Sequence, residues 1–309
     1  MQPRIWLIAG PTASGKSTLA LRLAQQIGGE IIGADALQVY RDLHILTARP
    51  DSVDEQAVAH HLVGTVDGAD LWSVGHWQRA VQKALAALQA RGRPAVVVGG
   101  TGLYFSALTR GLAEIPPVPV SVRHQAEADF ASLGEDLFRE RLAGVDPLAA
   151  SRIETGDQQR LIRAWSVAQA TGRALSDWQV STTPLLAADQ WRGVVIEPPR
   201  AALYDRCDTR LETMMAAGAV DEVAHLLARD LPSSAPVMKA VGVREIGRYL
   251  SGDLSLEAAT TLAQQETRRY AKRQSTWLRG QMGDWPRLTA TNPDDQWRQF
   301  LAANPVLTA

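Results

Sequence analysis

Gly10-Pro11-Thr12-Ala13-Ser14-Gly15-Lys16-Ser17 is the stretch that decides the fold of this 309-residue chain. It fits the spacing G-x-x-x-x-G-K-[ST] in full, between the apolar run Ile5 to Ala9 and a segment, Ser17 to Ile27, with apolar residues at Leu19, Ala20, Leu23, Ala24 and Ile27. Strand, glycine loop and helix in that order make a phosphate-binding loop. The glycines let backbone N–H groups converge on an anion at a helix N-terminus. Lys16 adds a positive charge, Ser17 offers a hydroxyl to Mg²⁺, and Thr18 follows in the first helical turn. The loop indicates a diphosphate and does not by itself indicate ATP.

Outward from the loop, Glu30 to Ala34 reads as a second short strand ending at Asp35. Trp77 to Leu88 is a helical pattern, and Pro94 to Val98 is a third apolar strand running into Gly99-Gly100-Thr101-Gly102. Strands alternating with helices predict a P-loop NTPase-like α/β fold, a parallel sheet with helices on both faces. The proline-rich stretch Ile115 to Pro119 interrupts this pattern, and from Ser121 to about Ser181 the chain is helical and polar. A strand returns only at Val194 to Ile196, and long helices are predicted over Arg200 to Arg229 and Leu254 to Leu278. The expected organisation is a core over 1–117 and 186–309, with a helical insertion domain over 118–185.

Missing features narrow the chemistry. In most P-loop NTPases an apolar strand ends in an Asp that holds Mg²⁺, but here the strand ends in glycines. Asn292 and Asn304 are the only asparagines, so no N-K-x-D guanine motif exists. GTPases and motor ATPases are disfavoured, and a small-molecule kinase stays open. Asp35, at the carboxyl edge of the expected sheet, is placed to act as a general base or as a helix cap. Thr101 and Tyr104 sit at the end of a neighbouring strand. Arg206 and Arg210, one turn apart, can face the same side and clamp a diphosphate. His60-His61 reads as polar surface detail, and Trp165, Trp178 and Trp191 as core.

Lys+Arg total 32 against Asp+Glu 33, a net charge of -1 that hints at no nucleic-acid partner. Locally the balance fails. Between Lys239 and Arg279 eight basic residues face four acids, and Arg268, Arg269, Lys272, Arg273 and Arg279 fall mostly on one side of a helix, interleaved with Tyr270 and Trp277. Such a stripe suits a nucleic-acid backbone, or a solvated face paired with acids elsewhere. Cys207 is the single cysteine, which excludes an internal disulfide. No apolar run approaches ~20 residues. A cytoplasmic protein is expected.

Seven blocks in register resemble the bacterial tRNA dimethylallyltransferase family. They are Gly10 to Ser17; Ala34-Asp35 with Gln38-Val39-Tyr40; Thr47 to Pro50; Val98 to Tyr104; Asp157 to Arg163; Ala240 to Gly242 with Arg244; and Thr267 to Trp277. The resemblance implies magnesium-dependent transfer of a dimethylallyl group from dimethylallyl diphosphate to N6 of adenosine 37 in tRNA. It assigns Asp35 to the N6 proton, Thr101 to a hydrogen bond near the leaving oxygen or acceptor, and Arg206 with the loop to the diphosphate. RNA contacts carried over by position are Asp35, Ala36, Leu37, Gln38, Thr101 and Arg123; Gln159, Arg160, Leu161, Ile162 and Arg163; Ala240, Val241, Gly242, Val243, Arg244 and Glu245; and Arg273, Gln274, Ser275, Thr276, Trp277, Leu278, Arg279 and Gly280. The implied partner is the anticodon stem-loop, bound by a monomer. Ala36 and Val243 depart from the residues many members carry. Prenylation of free adenine nucleotides, RNA binding without catalysis, and phosphoryl transfer from ATP stand as the alternative readings.

Overall fold

The structure, a computed structural model, describes residues 4–180 and 182–307. It divides into two compact units, residues 1–109 with 185–309, and residues 110–184.

In the larger unit the chain runs β1 (Ile5–Ala9), α1 (Lys16–Ile27), β2 (Glu30–Gly33), α2 (Ser52–Ala57), β3 (His60–His61), α3 (Val74–Ala90), β4 (Ala95–Gly99) and α4 (Gly102–Thr109). The smaller unit holds α5 (Val120–Ala143), broken at Gly134, then α6 (Pro147–Arg152), α7 (Gln158–Thr171) and α8 (Leu175–Gln179). The chain then returns through β5 (Trp191–Ile196), α9 (Arg200–Ala216), α10 (Ala219–Leu227), α11 (Val243–Leu250), α12 (Leu256–Gln281), β6 (Arg287–Leu288) and α13 (Pro293–Ala303).

The six strands form one sheet in the order β3-β2-β4-β1-β5-β6, every pairing parallel. Parallel strands buried on both faces read as continuous apolar runs, which is why β1 is IWLIA. Its alternate residues part to opposite faces. Leu7 and Ala9 join Ile32, Val97, Trp77 and Phe105 on one side; Trp6 and Ile8 join Leu19, Leu23, Val96 and Phe300 on the other. From β1 the chain moves outward to β2, comes back to β4, and then crosses to β5. The crevice at such a reversal lies beyond the carboxyl ends of the strands. Three loops open there, after β1, β2 and β4.

The smaller unit closes around Phe138, Leu142, Leu161 and Ala164, with Phe130 and Trp165 half-buried against them. Asp146, fully buried, caps α6 through the Ala149 N–H and also accepts the Ser176 N–H.

Some sequence expectations need correcting. The helix expected over Arg200 to Arg229 is two helices, because Gly218 at φ 102° turns the chain between α9 and α10. Trp165, Trp178 and Trp191 are only half-buried; Trp6, Trp77 and Trp297 fill the interior. His61 is tied to Glu30 at 2.7 Å, a carboxylate shared with Arg91.

Candidate active site

The loop between β1 and α1 is held open from outside. Gly15 stands at φ 97° before α1, and a Cβ there would lie 2.6 Å from Gln296 Oε1, so glycine is needed for both backbone and space. The Gln296 carboxamide is buried and donates to the Ser14 carbonyl at 2.9 Å and the Ala290 carbonyl at 3.0 Å. Arg206 donates to the same Ser14 carbonyl at 3.4 Å and to the Thr291 carbonyl at 3.1 Å. One turn on, the Arg210 guanidinium meets the Thr12 hydroxyl at 3.5 Å. The two arginines therefore converge on the loop from α9.

Lys16 is buried and donates to the Pro11 carbonyl at 3.2 Å. Burial pushes its pKa down to about 8; the charge of Asp35 opposes this and Arg210 adds to it. An anion in the loop would return this ammonium to its ordinary range. Ser17 and Thr18 are exposed at the start of α1. Both open onto a wide cleft that also meets Gln38, Asp51, Asp205 and Arg206.

Asp35 follows β2 on the same edge. Its Oδ1 accepts the N–H groups of Leu37 at 3.0 Å and Gln38 at 3.4 Å, which fixes the carboxylate in a local turn. The loop after β4 completes the arrangement. Thr101 donates its N–H to the Ala34 carbonyl at 3.2 Å, and its hydroxyl accepts the Ala36 N–H at 2.9 Å. Gly10 donates to the Gly99 carbonyl at 3.3 Å, tying the phosphate loop to the Thr101 loop.

Between the phosphate loop, the loop after β2, α9 and α12 lies a pocket. Thr12, Asp35 and Arg210 give it a polar end, and Leu37, Leu46, Leu211, Met214, Ala240 and Val241 give it apolar walls. Cys207 and Tyr270 also line it. Burial raises the Cys207 thiol to about 11, and burial with the nearby Asp35 charge raises the Tyr270 and Tyr104 phenols above their usual range. All three stay neutral. A polar, cationic end joined to an apolar chamber with a carboxylate at the junction suits an apolar chain esterified to a diphosphate.

The remaining sequence candidates separate by exposure. Arg123, Gln159, Arg160 and Arg163 are exposed on the smaller unit, where Leu161 and Ile162 are buried in its core. In the larger unit Arg244, Arg273, Thr276, Arg279 and Gly280 are exposed, Val241, Glu245, Ser275 and Trp277 are half-buried, and Ala240, Gly242, Val243, Gln274 and Leu278 are buried. Along α12 the expected basic stripe is partly neutralised, since Arg268 pairs with Asp208, Arg269 with Glu266 and Arg279 with Glu197. A second basic group surrounds a groove beside α11, where Lys239, Arg244, Arg248 and Arg273 gather. Sequence reasoning missed Gln296 and the walls Leu46, Leu211 and Met214. An uncharged amide carries no motif, and its partner lies 282 residues away.

Comparison with known proteins follows the same lines. Residues 38–281 match the family model described as IPP transferase, and residues 3–60 the model described as isopentenyl transferase. A tRNA dimethylallyltransferase of Phenylobacterium zucineum (strain HLK1) is 61% identical over 100% of both chains. One of Caulobacter sp. (strain K31) is 53% identical over 96% of each. The crystal structure of the full-length tRNA isopentenylpyrophosphate transferase of Bacillus halodurans is 30% identical. It covers 99% of this chain and 97% of its own, at a TM-score of 0.68. A eukaryotic dimethylallyltransferase, solved in snapshots of its action on tRNA, shares the fold at a TM-score of 0.84 and 24% identity, over 98% of this chain and 79% of its own.

Proposed function

This chain belongs to the IPP transferase family, and on that premise we propose that it transfers a dimethylallyl group from dimethylallyl diphosphate to N6 of adenosine 37 in tRNA. The observation that carries the reading is the pocket itself. Its polar end is formed by Thr12 of the phosphate loop with Arg210, its walls are apolar, and Asp35, on the backbone that Thr101 holds, lines it as well.

In this mechanism the carbon–oxygen bond of the allylic diphosphate breaks and its electrons leave with the diphosphate. The loop N–H groups, Lys16, Arg206 and Arg210 meet that charge. The allylic carbon takes the N6 lone pair, and the N6 proton passes to the Asp35 carboxylate. Apolar walls keep water from the carbon centre. Adenine reaches the pocket by leaving the stack of the anticodon loop, a step least costly from single-stranded RNA.

Mg²⁺ fits the donor set. The exposed Ser17 hydroxyl opens onto the cleft where the diphosphate would lie, and magnesium commonly takes one or two protein oxygens with substrate phosphates and water. Bound there, it would supply further neutralisation of the leaving diphosphate. Among the described residues no group of three or more His, Cys, Asp or Glu side chains could hold a metal by itself.

Exposed Arg123, Arg160 and Arg163 of the helical unit, and the basic groove beside α11, supply the contacts to the anticodon stem-loop. The helical unit works as an RNA-gripping insertion in a monomeric, cytoplasmic enzyme. Among the described residues no helix is long and apolar enough to cross a membrane. Phosphoryl transfer and prenylation of free nucleotides draw no support from the relatives.

The test is incubation with labelled dimethylallyl diphosphate and either an anticodon stem-loop or AMP, read by mass of the modified base. Label on the stem-loop adenine supports the proposal, and label on AMP alone defeats it. Asp35→Asn should bind the stem-loop normally and turn over at least 100-fold more slowly. Near-normal turnover would pass the proton to another group.

A further inference from the structure

Gln274 is 7% exposed on α12, among residues that sequence alone groups as RNA contacts. Its carboxamide points inward. Oε1 accepts the Thr12 N–H at 2.8 Å and Nε2 donates to the Gly100 carbonyl at 3.0 Å. Both partners are backbone groups of fixed polarity, so the amide has one orientation; a flip would set N–H against N–H and oxygen against oxygen. Gly100 must lack a side chain for this approach, because a Cβ there would collide with Gln274 Nε2.

The two partners belong to different halves of the site. Thr12 is in the phosphate loop. Gly100 precedes Thr101, whose hydroxyl holds the Ala36 N–H and with it the backbone that carries Asp35. The direct bond between the loops, Gly10 to Gly99, lies at their base. Gln274 spans them one and two residues further out.

We propose that Gln274 is a positioning residue that sets the spacing between the prenyl donor and the adenine acceptor. The inference rests on the transfer reaction proposed above. Reacting atoms must meet at roughly 3–3.5 Å, and a misplacement of about 1 Å can slow a reaction ~100-fold while each reactant is still held. Losing the amide strands a Thr12 N–H and a Gly100 carbonyl, and the loops relax relative to each other. The cost falls on the chemical step. An RNA contact would instead weaken the stem-loop KM, and a purely structural residue would lower the active fraction, which scales a single-turnover amplitude but not its rate constant.

The experiment measures single-turnover prenylation of an anticodon stem-loop, with dimethylallyl diphosphate saturating, and the steady-state KM of each substrate, for wild type, Gln274→Met and Gln274→Asn. Asn keeps the amide but shortens its reach by one methylene, so it serves if the Met variant does not fold. The expected result is a rate constant lowered about 30- to 100-fold in Gln274→Met and at least fivefold in Gln274→Asn, with KM for both substrates within about threefold of wild type. Rate constants within threefold of wild type in the folded variants, or a loss confined to the stem-loop KM or to amplitude, overturn the proposal. Failure of the wild type to prenylate the stem-loop defeats the transferase reading instead.

Discussion

The Thr101 hydroxyl accepts the Ala36 N–H at 2.9 Å, so a residue at the end of β4 fixes the backbone beside a carboxylate at the end of β2. Thr101→Val keeps the shape and removes the acceptor. An unpaired N–H left in this half-buried place costs about 1–3 kcal/mol, and we expect prenylation kcat to fall at least tenfold. Thr101→Ser should retain most of it. Equal activities in a steady-state comparison of the two variants would contradict this role.

Lys16 sets a pH dependence of known sign. Burial lowers its pKa to about 8, so the ammonium loses its proton as pH rises from 7 to 9, whereas diphosphate binding holds it. Dimethylallyl diphosphate should bind about tenfold more weakly at pH 9 than at pH 7 by proton linkage. Lys16→Arg, charged throughout, should flatten the profile in titration calorimetry. In folding the sign is the reverse: between pH 8 and the ordinary lysine range the unfolded chain holds more protons, so this group's contribution to stability rises with pH.

Gly102 and Trp277 are in close contact, and a Cβ at Gly102 would fall within the indole. Gly102→Ala overpacks α4 against α12 and should cost about 1–3 kcal/mol. That lowers the melting temperature by roughly 2–4 °C per kcal/mol. Gly280, within α12, has open space where an alanine Cβ would sit and no positive φ, so Gly280→Ala should raise the melting temperature. Calorimetric melts of the pair with opposite shifts are the expected result.

Salt dependence separates the basic residues that meet RNA from those paired within the protein. Arg244→Gln and Arg248→Gln, in the groove beside α11, should each reduce the slope of log affinity for the stem-loop against log salt by about 0.7–1. Arg268→Gln, whose partner is Asp208, should leave the slope unchanged. Fluorescence anisotropy between 50 and about 300 mM salt reads the difference.

The phosphate loop was legible because all its determinants lie within eight consecutive residues, flanked by a strand and a helix with clear periods. The convergence of Arg206 and Arg210 was legible from helical spacing. Two-residue strands such as β3 and β6 carry no period to read, and neither stands out in the sequence. The division at Gly218 was signalled by the glycine itself, though α-helical spacing resumes beyond it and masks the turn. The pairings of Arg268 with Asp208 and Arg279 with Glu197 join residues 60 and 82 positions apart, so a count of charges along α12 overstated its uncompensated positive charge. Gln274 and Gln296 were invisible as loop supports for the same reason: their chemistry is ordinary, and only the fold brings them to residues 12 and 14.

Gln296 gives the fold an order of completion. The Ser14 carbonyl of the phosphate loop receives its buried donor from α13, the last α-helix among the described residues. During synthesis the phosphate loop is thus joined by a contact that emerges 282 residues later. A nascent chain stopped short of residue 296 carries the loop's full sequence and Arg206, yet leaves the Ser14 carbonyl without its buried amide donor.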